Sequence, residues 1–213
     1  VQIITHLLTG LSITYRQLGD YAQAEQFGRR SLASYAALDD QYGIMQATLT
    51  LGELNRQLGH DDEAQQLFTQ AVAVAQAIGD RSGEADGSYG LGQIAGKQGE
   101  SAKAMAHLRL ALEQANEIHE TLLVLDILLE IAYLLADTDA PRAGQVLTFL
   151  LDHPQLPDQR RTRAASLLAG LNGAGLTADA TLSLPEVVAL ATTTTNTATR
   201  VRSTTKRRST TRP

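Results

Sequence analysis

Between positions 44 and 58, apolar or small side chains fall at Ile44, Ala47, Thr48, Leu51, Leu54 and Leu58 with polar residues between them. That three-and-four spacing predicts one buried face of a helix. Gly59 follows as a stop, because glycine takes up left-handed backbone without a Cβ clash. Asp61 or Asp62 is then placed to cap a second helix, with inward positions Ala64, Leu67, Phe68, Ala71, Val72 and Ala75. Gly79 ends that helix and Asp80 can cap the next. The same order of helix, glycine and polar cap returns at Gly19/Asp20 and Gly99/Ser101. No proline precedes Pro141, and strand-like alternation is absent, so the expected fold is all-α.

The pattern recurs at forty residues. Arg16-Gln17-Leu18-Gly19 returns as Arg56-Gln57-Leu58-Gly59, and the same offset aligns Ala24, Ala64 and Ala104, then Leu11, Leu51 and Leu91, then Gly43 and Gly83. A lone helix pair of this kind cannot bury its apolar face, so successive pairs must stack on a shared core. The register predicts pairs over 3–20/21–39, 41–59/61–79, 81–99/101–119 and 121–137/139–152. After these, a helical cap is expected over 153–191 and a disordered Thr-rich basic tail over 192–213. In the cap, Asp158 is placed to open a helix bearing Arg160, Arg161 and Arg163 that Gly170 and Gly173 end. Ser183 and Glu186 form a capping box for a last short helix, 187–191. Small residues at Ser12, Gly52 and Gly92, facing Ala24, Ala64 and Ala104, predict close helix approach within each pair.

These residues resemble the long, forty-residue variety of the tetratricopeptide repeat. The second pair supplies Leu51-Gly52, Ala64, Phe68 and Ala71; the first supplies Leu11, Tyr15 and Ala24; the third supplies Leu91-Gly92, Ala104, Leu108 and Ala111. The resemblance implies a right-handed α–α superhelix whose first helices line a concave, partner-binding surface. Mapped onto that surface, the first repeat presents His6, Thr9, Ile13, Arg16 and Gln17. The second presents Gln46, Leu49, Glu53, Arg56 and Gln57, the third Asp86, Tyr89, Gln93 and Lys97, and the fourth Asp126, Glu130, Tyr133 and Asp137. Family members that clamp a C-terminal carboxylate place asparagine where this chain has Ile13, Glu53, Gln93 and Tyr133, so the resemblance disfavours chaperone-tail recognition. The order of segments from Ala143 onward is similar to the C-terminal end of bacterial signal-transduction NTPases of the STAND class, which implies an NTPase or effector domain upstream.

Two features have competing readings. Asp126, Glu130, Tyr133 and Asp137 form one stripe on an otherwise apolar helix. The stripe is either the strip left to water or an acidic wall facing Arg16 and Arg56. Gly83, Gly87, Gly90, Gly92 and Gly96 crowd another helix, where each interior glycine costs about 1 kcal/mol relative to Ala. They mark either close packing or a hinge.

Composition narrows the chemistry. The 213 residues hold no cysteine, which removes disulfides, Cys-ligated metals and thiol nucleophiles and suits a reducing, cytoplasmic setting. No apolar run approaches the roughly 18 residues of a membrane span. The five histidines lack metal-ligand spacing, and there is no phosphate-binding glycine loop. The expectation is a non-catalytic protein with no cofactor and no metal. All 23 acidic residues and twelve of the 18 basic ones lie within 1–190, a balance of −11, whereas 191–213 carries six basic residues and no acid. The tail therefore reads either as a weak, salt-sensitive nucleic-acid contact or as a solvated terminus. The leading expectation is a scaffold binding a protein or peptide in the groove, as the sensor or interaction region of a larger signalling protein. The alternatives are a nucleic-acid-associated regulator using the tail and a structural arm coupled to an upstream ATPase.

Overall fold

The computed structural model describes residues 2–171 and 182–193. Among them lie ten helices and no strand: α1 (Gln2–Gln17), α2 (Tyr21–Ala37), α3 (Gln41–Leu58), α4 (Asp61–Ile78), α5 (Arg81–Lys97), α6 (Ser101–Glu117), α7 (Thr121–Ala136), α8 (Ala140–Asp152), α9 (Asp158–Gly170) and α10 (Leu184–Thr192). Gly173 and the tail beyond Thr193 lie outside the described residues, and with them the expectations of a glycine stop there and of tail disorder. No helix among the described residues is long and apolar enough to cross a membrane.

From α1 to α9 consecutive helices pack as neighbours, α10 packs back on α6, α7 and α8, and the odd-numbered helices also touch in the order α1, α3, α5, α7, α9. The odd helices thus form a continuous inner row, with α2, α4, α6 and α8 outside it. This is an all-α, superhelical, tetratricopeptide-like architecture.

The turns explain the even spacing. Left-handed residues fall at Gly19, Asp39, Gly59, Gly79, Gly99 and His119, every twentieth position, each with φ between 53° and 81°. The glycines meet the expectation. Asp39 and His119 hold the same conformation without glycine's freedom, which is why composition did not reveal them. Asp20, Asp40 and Asp80 cap the following helices by accepting from the backbone N–H of Gln23, Gly43 and Gly83. Three expected caps are corrected. His60, Glu100 and Pro157 hold the N-cap positions of α4, α6 and α9 with no side-chain cap bond, and Asp61, Ser101 and Asp158 are already the first helical residues. Acid in the first turn still complements the helix dipole of α4 and α9. The Ser183–Glu186 box does form: the Ser183 backbone N–H and hydroxyl both donate to Glu186 Oε2.

Small residues set the approach distances. Ala24, Ala64 and Ala104 are fully buried, and the Ser12 hydroxyl donates to the Ala24 carbonyl at 2.7 Å. In α5, a Cβ on Gly83, Gly87, Gly90 or Gly92 would stand 2.2–2.7 Å from Met45, Val72, Phe68 or Leu108. Close packing accounts for those four glycines. A Cβ on Gly96 would make only ordinary contacts, 3.8 Å from Leu134 and 3.9 Å from Ala104, so close packing does not require glycine there. The largest apolar cluster fills the C-terminal half, where Ile127, Leu128, Ile131, Leu147 and Leu150 are buried beneath α9 and α10.

A polar cleft along the inner helices

The inner row encloses a cleft of about 620 Å3, within the size range of small-ligand pockets. Its walls come from successive turns of the repeat. From α1 come Ile13 and Arg16; from α3, Gln46, Leu49, Glu53, Arg56 and Gln57; from α5, Asp86, Tyr89 and Gln93; and from α7, Asp126 and Glu130. The forty-residue register makes this happen, because positions that face inward in one inner helix face inward in the next.

Glu53 organises one end. Arg56 grips it with two guanidinium nitrogens, Nε to Oε2 at 2.8 Å and Nη2 to Oε1 at 2.7 Å. Gln57 Nε2 also donates to Oε1, and Arg16 Nη1 stands 3.6 Å away. The hydrogen bond to Glu53 holds the Arg56 guanidinium above its ordinary pKa. One carboxylate thus serves two arginines, leaving this end with a positive excess.

Mid-cleft, Gln93 Nε2 donates to the Tyr89 phenol oxygen at 2.9 Å. Burial, then the nearby Glu130 and Asp126 carboxylates, push that phenol above its usual range, so it stays a neutral hydroxyl. Asp86 makes no hydrogen bond or ion pair among the described residues. Burial, helped by the Glu120 and Asp80 charges, pushes its carboxyl up to about 6.

The far end departs from expectation. Asp126 and Glu130 line the same cleft as Arg16 and Arg56, but they are not an open wall, because α9 lies against them, while Asp137 at the end of the stripe is exposed. Arg160 engages both oxygens of Asp126. Arg163 reaches Glu130 Oε1 at 3.4 Å and lies over the Tyr133 ring at 5.3 Å. Gln159, Arg160 and Arg163 line the cleft as well. The available signal was the pairing of a basic i, i+3 face on α9 with an acidic i, i+4 stripe on α7. The repeat register ends before α9 and gives no placement for it.

Other mapped residues fall elsewhere. Lys97 pairs with Asp61 of α4 at 2.8 Å. His6 and Thr9 hydrogen-bond to Tyr35 and Ser31 of α2. Gln17 and Asp137 are exposed at helix ends, and Tyr133 sits beneath Arg163 outside the cleft lining. Thr50, Leu123 and Leu129 line the cleft without having been anticipated. Among the described residues, no three His, Asp or Glu side chains gather to hold a metal ion.

Comparison with known proteins follows the same lines. Residues 43–117 match the tetratricopeptide repeat family. The crystal structure of BtubC (BKLC) from P. vanneervenii superposes with a TM-score of 0.66 at 18% sequence identity, over 77% of this chain and 70% of that one. No curated protein matches the sequence. The chain is thus built on a tetratricopeptide-like helical array, and its family match, 43–117, runs from the third residue of α3 to the end of α6.

Proposed function

We propose that the cleft is a docking groove for a protein or peptide segment bearing both signs of charge. Tetratricopeptide repeats generally mediate protein–protein interaction, which supports a scaffold role at the coarser level. One observation carries the finer reading: Arg16, Glu53, Arg56, Tyr89, Gln93, Asp126 and Glu130, spread over four helices, converge on one cleft. Its Arg16/Arg56 end suits an acidic group, and the unpaired Asp86 suits a basic one. Such complementarity sets orientation and on-rate before it adds affinity. Tyr89 and Arg56 are of the residue types that dominate interface energetics.

Peptides selected on the purified protein from a random display library test this reading. Arg56→Ala and Tyr89→Ala should each weaken their binding by about tenfold or more, the signature of a contact worth about 1.4 kcal/mol. Peptides that bind both variants as they bind the parent chain would remove the cleft from the account.

We also read the chain as the interaction region of a larger regulatory protein. The support is the resemblance of the segments after Ala143 to the end of STAND-class NTPases, and the partner domain is then an upstream NTPase or effector.

A further inference from the structure

Each inner helix after α1 is backed by the outer helix before it, and four positions of the forty-residue register make that contact. A Cβ on Gly43 would meet the Tyr35 ring of α2, and Leu51 crowds Gly28 of α2. Cβ atoms on Gly87 and Gly90 would meet Val72 and Phe68 of α4. In α1 the same four positions are Ile3, Leu7, Gly10 and Leu11. Ile3 is 78% exposed, Leu7 60% and Leu11 38%, whereas Leu51 is 4% exposed. Nothing lies within 4 Å of the space beside Gly10, although the same space at Gly90 holds the Phe68 ring.

We propose that this face of α1 is a stacking surface for one more outer-type helix, contributed by a further helix pair ahead of α1 in the same polypeptide. The occupant follows from continuity with the internal interfaces. The contacts of α2 with α3 and of α4 with α5 use positions of one register, α6 packs against α7 in the same order of helices, and α1 presents those positions uncovered. Its side chains match the α7 version, where Leu123, Ile127 and Ile131 occupy the places of Ile3, Leu7 and Leu11. An α6-like helix, with the fully buried small residues Ala111 and Ala115, therefore suits α1. Among its described residues, a second copy of this chain has no such helix to give. In it α2, α4 and α6 are each packed between two inner helices, and α8 is packed against α7, α9 and α10.

The test is to fuse a copy of residues 81–120 directly ahead of Val1. The register is then unbroken, because Val1 follows Glu120 as Thr121 does. The fusion should melt in one cooperative transition with Tm raised by roughly 5 °C or more, as repeat arrays gain from each new interface. Leu7→Asp should abolish that rise while moving the unfused chain by less than about 2 °C, since Leu7 is exposed there. Amide exchange in α1 should slow at least about tenfold in the fusion, a readout independent of the variant. A separate transition for the added copy, or a rise that survives Leu7→Asp, overturns the proposal. So does sedimentation of the unfused chain as a dimer that Leu7→Asp dissociates, because a second copy would then own the face.

Discussion

Arg160 of α9 holds both carboxylate oxygens of Asp126 in α7, 34 residues earlier in the chain. Burial lifts the Asp126 carboxyl to about 6, and Arg160 pulls against that shift. Removing the guanidinium leaves a partly desolvated carboxylate with little to answer it. Arg160→Ala should therefore lower stability by about 1–2 kcal/mol near pH 8, after discounting for the exposure of the pair. The loss should shrink near pH 4, where Asp126 is protonated. Urea titrations at the two pH values check it.

Asp86 predicts the opposite sign for a single substitution. Its carboxyl stands at about 6 in the fold against 3.8 when free, with burial the main cause. Between those values the folded chain binds more protons than the unfolded one, so this group's contribution to stability falls as pH rises from about 4 to about 6 and then levels off. Asp86→Asn should raise stability by about 1–2 kcal/mol near pH 7 and leave it unchanged near pH 4. Thermal melts across that range test the prediction. If Asp86 receives a basic group from a ligand, the same substitution weakens binding while it stabilises the free protein.

The glycines of α5 separate into two kinds. Alanine at Gly90 would set its Cβ 2.5–2.6 Å from three atoms of the Phe68 ring, whereas a Cβ on Gly96 would make only ordinary contacts, 3.8 Å from Leu134 and 3.9 Å from Ala104. Gly90→Ala should cost about 1–3 kcal/mol through overpacking, despite the gain in helix propensity. Gly96→Ala should stabilise by about 0.5–1 kcal/mol. Denaturant midpoints for the two variants are expected to move in opposite directions.

His119 holds φ at 59° at an exposed turn, a conformation glycine adopts without strain. His119→Gly should raise stability by about 0.5–1 kcal/mol, net of the added freedom in the unfolded chain. The position corresponds to Gly79 one turn of the pattern earlier, so no repacking is needed. Calorimetry of the variant measures it.

The helices, their pairing and the inward side of α1, α3, α5 and α7 were legible in the sequence because all three follow from one spacing held over many residues. Arg16, Glu53, Arg56, Tyr89 and Gln93 reach the cleft for that reason. Lys97 does not, because it lies at the end of α5, close enough to Asp61 for an ion pair to decide its direction. The helix starts were less legible where acids cluster, since Asp61 and Asp62 can serve the dipole from inside the first turn as well as from the cap. The placement of α9 depended on contacts between segments with no shared period. Arg160 and Arg163 were visible as charges, and their destination was not.

The left-handed residues at every twentieth position have a consequence for how this molecule can change length. Deleting one residue in the middle of α3 would turn everything beyond it in that helix by about 100°, swinging Glu53 and Arg56 off the inner wall. Removing or adding forty residues leaves every remaining side chain aimed as before. The cleft is a ruler graduated in helix pairs: it can be cut or extended at its marks, and between them a single missing residue erases the scale.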